Sequence, residues 1–262
     1  MPQHINDILQ LFFRWAHVVA GILWIGHLYF FNFVNAHVAK SLDGPTKKLV
    51  VPELMPRALF WFRWGAAWTW ITGMLLGGLI YYHGRQVFDG DYQQSGNPWL
   101  WLAIVLVIVV VGFLIYNTVM KTVKNVIVAN TIVLVLLAAV YLFLEHVGHF
   151  GGRSLYIHTG LILGTIMAAN VWMVIWPYQR KIIAATKDGT PPDAALVAQA
   201  GLRSRHNTYM SVPLIFTMLS NHYPTMYGNT YRDLCLLGVF ILGFAFVRWT
   251  YGKSASSNPA AF

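Results

Sequence analysis

The chain has 262 residues, of which 57% are hydrophobic and only 10% charged, and its mean hydropathy is +0.54. A soluble domain carries about 25% charged residues, so the composition excludes a water-soluble fold and predicts an all-α, polytopic transmembrane helical bundle forming one integral-membrane domain over 1–262. The net charge of +9 comes from cations in short loops, where membrane topology puts them, and does not call for nucleic acid; the single Cys235 leaves no disulfide framework or thiolate cluster.

A bilayer span needs ~20 mainly apolar residues. Seven are predicted, at 8–34, 58–82, 98–117, 127–147, 154–177, 207–223 and 233–250. The first has no small-residue cleavage site after it and is expected to be retained. The segment 184–205 contains Pro191-Pro192 and reads as a polar loop with a short helix near 193–202. Loop one carries Lys40, Lys47, Lys48 and Arg57, loop three Lys121 and Lys124, and loop five Arg180, Lys181, Lys187, Arg203 and Arg205. The alternate loops are poorer, with Arg85, Arg153 and Arg232. Cytoplasmic loops collect Lys and Arg, so the N-terminus is expected outside and the C-terminus in the cytoplasm. His83, His146, His149, His158 and His222 then fall near the outer face, His17 in the outer half of its span, and His27 and His206 in inner halves.

An ionisable group inside a span is costly and marks a functional candidate. In the first span Arg14, His17, Gly21, Trp24 and Leu28 share one helical face. Such a His suits a haem iron, the glycine one turn later gives a flat macrocycle room, and Arg14 suits a propionate. The same face also reads as a packing surface with a hydrogen-bonded His. His27 lies ~15 Å further along the axis and reads as bonded to a neighbouring helix.

The fourth span ends in Glu145, His146 and His149; the two histidines are three residues apart and so share one helical face, with the carboxylate as a third metal ligand or a partner of the ligating imidazoles, or the group is a polar cap in contact with water. In the fifth, His158 stands beside a Gly160, Gly164, Ala168 stripe. That stripe, like Gly73 and Gly77 in the second span, predicts close helix packing. Asn170 is an interhelical bond or a substrate contact. The stretch 203–224, RSRHNTYMSVPLIFTMLSNHYP, is the densest in polar residues. Arg203, Arg205 and His206 there suit an anionic planar substrate or propionates; a topological anchor also explains the two arginines. Tryptophans near span ends read as an interfacial belt.

Three stretches, RWAHVVAGILWIGHLYFFNFVN at 14–35, IHTGLILGTIMAANVWMVIWPYQRK at 157–181 and the one at 203–224, are similar to the membrane domain of bacterial cytochrome c-dependent urate oxidases, the PuuD-type urate hydroxylases. The similarity runs over almost the whole chain. A weaker likeness links the first span to HemJ-type protoporphyrinogen oxidases and CopD-like copper proteins.

The resemblance implies a multi-pass protein of the bacterial inner membrane that oxidises urate, or a related purine, to 5-hydroxyisourate without oxygen as acceptor. It also implies a cytochrome c domain fused at the C-terminus. The sequence ends at Phe262 without a CxxCH, so no covalent c-type haem is expected in this chain, and the expected acceptor is a separate cytochrome c or another protein. On this reading haem b is held by His17 or His158 first, then His146, His149 or His222, with Arg14 nearby. Urate is met by Arg205, His206, Asn207, Asn170 and Asn221. Two other readings stand beside it. One is a non-catalytic haem-bearing electron-transfer subunit of a larger membrane complex. The other is a copper-handling membrane protein using Met167, Met173, Met210 and Met218.

Overall fold

The computed structural model describes residues 2–256, and every regular element among them is helical. In chain order these are α1 (Gln3–Tyr29), α2 (Ala36–Ser41), α3 (Gly44–Gly77), α4 (Tyr92–Ser95), α5 (Pro98–Thr122), α6 (Val126–His146), α7 (Gly152–Asn170), α8 (Trp176–Asp188), α9 (Ala194–Leu219), α10 (Pro224–Tyr227) and α11 (Arg232–Ser256). π-Helical turns join α1 to α2 (Phe30–Asn35), end α3 (Gly78–His83) and join α7 to α8 (Val171–Ile175). Such turns insert a residue into the α-helical ladder and recur at functional sites.

Local chemistry sets several ends. Asn97 Oδ1 accepts from the amides of Trp99 and Leu100 with Pro98 in the first turn, and Asn125 does the same for Ile127 and Val128. α8 stops at Gly189, whose φ of 74° is left-handed.

Five helical stretches are long and apolar enough to cross a membrane: Gln3–Ser41, Pro98–Thr122, Val126–His146, Gly152–Asp188 and Arg232–Ser256. The residues of the other two expected spans, 58–82 and 207–223, lie largely in α3 and α9, which are helical but are not among these five stretches. α9 also corrects the reading of 184–205. Asp193 Oδ1 caps the amide of Ala195 at 2.8 Å, and from there one helix runs through Arg203 and Pro213 to Leu219. The Pro213 ring is buried, and a Cβ added at Gly243 of α11 would lie 3.1 Å from its Cδ.

The chain divides into two compact units. The first comprises Met1–Trp15, Ile71–Ile166 and Leu214–Gly238. Its core is α7, which buries Leu155, Tyr156, Ile162 and Leu163, while α5 exposes Val107, Val110 and Leu114 and α6 exposes Ile127 and Val135. Aliphatic rows of that kind are stable against lipid and not against water. Gly160 and Gly164 meet α9 as the small-residue stripe predicts: added Cβ atoms would lie 2.3 Å from Thr217 Oγ1 and 3.2 Å from Leu214 Cδ1. At Gly77 the expectation fails, since a Cβ there would meet nothing within 4 Å.

Thr217 cannot turn away from Gly160 without losing its 2.8 Å bond to Leu214 O. Gly160→Ala is therefore expected to destabilise by ~1–3 kcal/mol through overpacking. Gly77→Ala should be neutral or stabilising by up to ~1 kcal/mol through helix propensity. Thermal unfolding of both variants in one detergent checks the contrast.

The second unit comprises Ala16–Trp70, Met167–Pro213 and Val239–Phe262. α1 and α3 touch backbone to backbone in it, because a Cβ at Gly65 would lie 2.9 Å from the amide nitrogen of Trp24. Only glycine permits that approach.

Candidate functional site

In the first unit, α7 carries His158, which is 2% exposed. Its Nδ1 lies 2.7 Å from Ser154 O one turn earlier. A carbonyl only accepts, so Nδ1 holds the hydrogen and the lone pair of the neutral ring is on Nε2. The Tyr82 hydroxyl donates to that nitrogen at 2.8 Å. Tyr81, Tyr82 and Phe150 meet the imidazole edge-on, with centroids at 5.7, 5.7 and 4.9 Å.

Consecutive residues of an α-helix point about 100° apart, yet Tyr81 and Tyr82 are both buried. Both belong to the π turn that ends α3. Tyr81 Oη donates to Asn221 Oδ1 at 2.8 Å, and Arg153 Nε donates to the same oxygen at 2.8 Å. Arg153 also bonds Gln86 Oε1 and lies 5.8 Å from the Tyr81 ring centroid. His158 and Asn221 are thus joined through two neighbouring tyrosines, neither of which the helical spacing singled out.

The remaining haem candidates of this unit are exposed: His146, His149, His222 and Arg14. α6 ends at His146, and His149 adopts a φ of 52°, which turns it off the helix and onto Tyr92 in a 3.7 Å stack. The expected shared helical face of His146 and His149 therefore does not form. Glu145 pairs with Arg232 and lies 3.7 Å from His146 Nε2. Among the described residues, no three His, Cys, Asp or Glu side chains gather as a metal-ion group.

The second unit holds the other candidates. His17 Nδ1 lies 2.8 Å from Thr69 O, which by the same logic puts its lone pair on Nε2. Trp24 on its face is buried. A Cβ at Gly21 would lie 3.9 Å from Thr69 Cγ2, an ordinary contact. His27 bonds the carbonyl of Leu23 in its own helix at 2.7 Å, not a neighbouring helix.

Asn170 and Asn207 are both fully buried. Asn170 Nδ2 donates to Asn207 Oδ1 at 2.9 Å, and Asn207 Nδ2 donates to Met167 O at 2.9 Å. Arg203, one turn before Asn207 on α9, is also fully buried. With 184–205 read as a loop, Arg203 resembled an anchor; in a continuous helix it shares Asn207's inward face. Arg205 points elsewhere. It is exposed, with its guanidinium 5.5 Å from the Tyr251 ring centroid, and His206 is half-buried. α9 gains further partners from α1, α11 and the π turn Phe30–Asn35. Asn32 bonds Ser204 Oγ and Tyr251 Oη at 2.8 Å each, and Tyr29 Oη lies 3.0 Å from Ser211 Oγ. A span bears such polar density only when protein satisfies it. Asn32 is readable in the sequence as an amide in an apolar run.

Helices that expose aliphatic rows while burying an imidazole, amides and a guanidinium define a polytopic α-helical membrane protein with a polar interior. The chain belongs to the urate oxidase N-terminal family, whose model matches residues 3–48 and 44–261, and this connects it with urate. No curated protein and no solved structure matches it.

Proposed function

We propose that the protein is a haem b oxidoreductase of the bacterial inner membrane that oxidises urate to 5-hydroxyisourate and passes electrons to a cytochrome c or comparable acceptor. The match to the urate oxidase N-terminal family carries this reading. Urate plus water yields 5-hydroxyisourate, two electrons and two protons, so the reaction needs a seat for a planar anion and an electron sink.

Arg203, Asn170 and Asn207 suit the first requirement. A buried guanidinium favours the urate monoanion, and amides match its alternating donors and acceptors. Arg205, His206 and Asn221 remain further candidates. For the second requirement, haem b supplies a one-electron couple. The chain's imidazoles fit such a group in one respect that both share: His17 and His158 each anchor Nδ1 on a backbone carbonyl, which orients Nε2 as the coordinating atom. At His158 that nitrogen accepts from Tyr82, whose hydroxyl would have to yield its place.

Membranes containing the protein are expected to consume urate only when an acceptor such as cytochrome c is supplied; no consumption with any acceptor defeats the reading. The proposed orientation has the N-terminus outside. A reporter active only in the periplasm, fused after Phe262, should then be silent, while a cytoplasmic reporter should be active.

One observation favours a second reading, a haem-bearing electron-transfer subunit. Asn170 and Asn207 already bond one another, as interhelical amides do without any substrate. A haem spectrum without urate turnover would select it.

A further inference from the structure

Arg63 lies in α3, near the start of the expected span 58–82, and is half-buried. Its guanidinium carbon is 4.0 Å from the Trp176 ring centroid, 5.7 Å from that of Trp172 and 5.8 Å from that of Phe60. Trp172 Nε1 donates to Arg63 O at 3.0 Å, tying the indole to the same turn of α3. Arg180 follows Trp176 by one turn of α8, and its guanidinium is 5.8 Å from the same indole centroid. The two cations are therefore separated by no more than about the ~10 Å Debye length of 0.1 M salt, so part of their repulsion survives screening.

Aromatic faces hold a guanidinium by its plane and leave its N–H edge for a ligand. Arg63 Nε is buried and makes no hydrogen bond, and among the described residues neither Arg63 nor Arg180 makes an ion pair. Glu53, an acid on the same helix, is engaged with Arg57 at 3.1 Å. Trp61 and Trp64, both exposed, flank Arg63 in sequence, and exposed tryptophans concentrate at the depth of lipid headgroups.

We infer that Arg63 and Arg180, held on Trp176, bind a phosphate-bearing anion, the headgroup of an anionic phospholipid. Two guanidinium forks match phosphate oxygens in geometry and relieve their mutual repulsion by sharing them. Basic pockets between membrane helices select anionic lipids on this principle. The inference is independent of any urate chemistry.

The test uses the purified full-length protein, delipidated in detergent, with its thermal unfolding followed against added cardiolipin, phosphatidylcholine or inorganic phosphate. A ligand that binds only the folded state raises the midpoint. Cardiolipin is expected to raise it by several degrees and phosphatidylcholine to leave it unchanged. Arg180→Gln, a surface change that leaves packing intact, should remove most of the rise, and Arg63→Gln with Arg180→Gln should remove all of it. The double lysine variant should retain part of it, because charge persists without the fork. A rise with inorganic phosphate that Arg180→Gln also removes would assign the same anion site to free phosphate. A cardiolipin-induced rise that survives undiminished in Arg180→Gln, or an equal rise with phosphatidylcholine, overturns the inference.

Discussion

Replacing His158 with alanine is expected to abolish the haem spectrum and urate oxidation together. The side chain is enclosed by Tyr81, Tyr82 and Phe150, with Nδ1 committed to Ser154 O. Truncation also strands the Tyr82 hydroxyl in a buried place, a cost of ~1–3 kcal/mol. A drop in stability alone therefore does not separate a ligand from a structural residue, and Tyr82→Phe does. If His158 Nε2 is an iron ligand, removing the hydroxyl leaves that bond intact, and Tyr82→Phe keeps its Soret band. If the tyrosine bond is the whole role of His158, both variants lose stability by similar amounts and both keep the band. His17→Ala is expected to lose the band as His158→Ala does. Absorbance spectra and thermal midpoints of the four proteins, wild type included, decide between these outcomes.

The second large effect is expected at Arg203. A charge-assisted hydrogen bond contributes ~1.5–3 kcal/mol, so Arg203→Gln should raise the KM for urate roughly 10- to 100-fold while leaving the haem spectrum unchanged. Arg205→Gln makes a matched control. It removes the same charge two residues away, from an exposed guanidinium, and surface changes of that kind stay within about 0.5 kcal/mol. Its KM should stay within about twofold of wild type. Arg203→Lys, which keeps the charge without the fork, should fall between wild type and Arg203→Gln. A larger KM increase for Arg205→Gln than for Arg203→Gln would move the anion contact to the exposed residue.

Much of the architecture was legible because lipid imposes simple rules. α5 and α6 follow from uninterrupted aliphatic runs opened by Asn97-Pro98 and Asn125, and the Gly160–Gly164 stripe marks a real contact with Thr217 and Leu214. His158 stood out as an imidazole in an apolar helix, and it is buried. What was not legible depends on continuity or on distant partners. Pro191-Pro192 suggested a loop, but Asp193 caps a helix that carries Arg203 inward, so the burial of Arg203 was not legible. Tyr82 lies 76 residues from His158, and no local period announces such a pair. The π turn that buries Tyr81 and Tyr82 together has no apolar signature distinct from an α-helix. His149 was placed on a helical face by counting, whereas its left-handed backbone takes it off that face. Arg63 was hidden by the tryptophans around it, which read as an interfacial belt and gave no hint that they clasp a cation.

The central claim is that urate electrons enter a haem bound by this chain. Purified, oxidised protein mixed with urate in the absence of oxygen tests it most directly, with the visible spectrum and the product followed together. The account predicts a b-type reduced spectrum, 5-hydroxyisourate in proportion to the electrons taken up, and re-oxidation on adding ferric cytochrome c. Folded protein that is colourless after expression with ample haem, or whose haem is reduced by dithionite and never by urate, would contradict it.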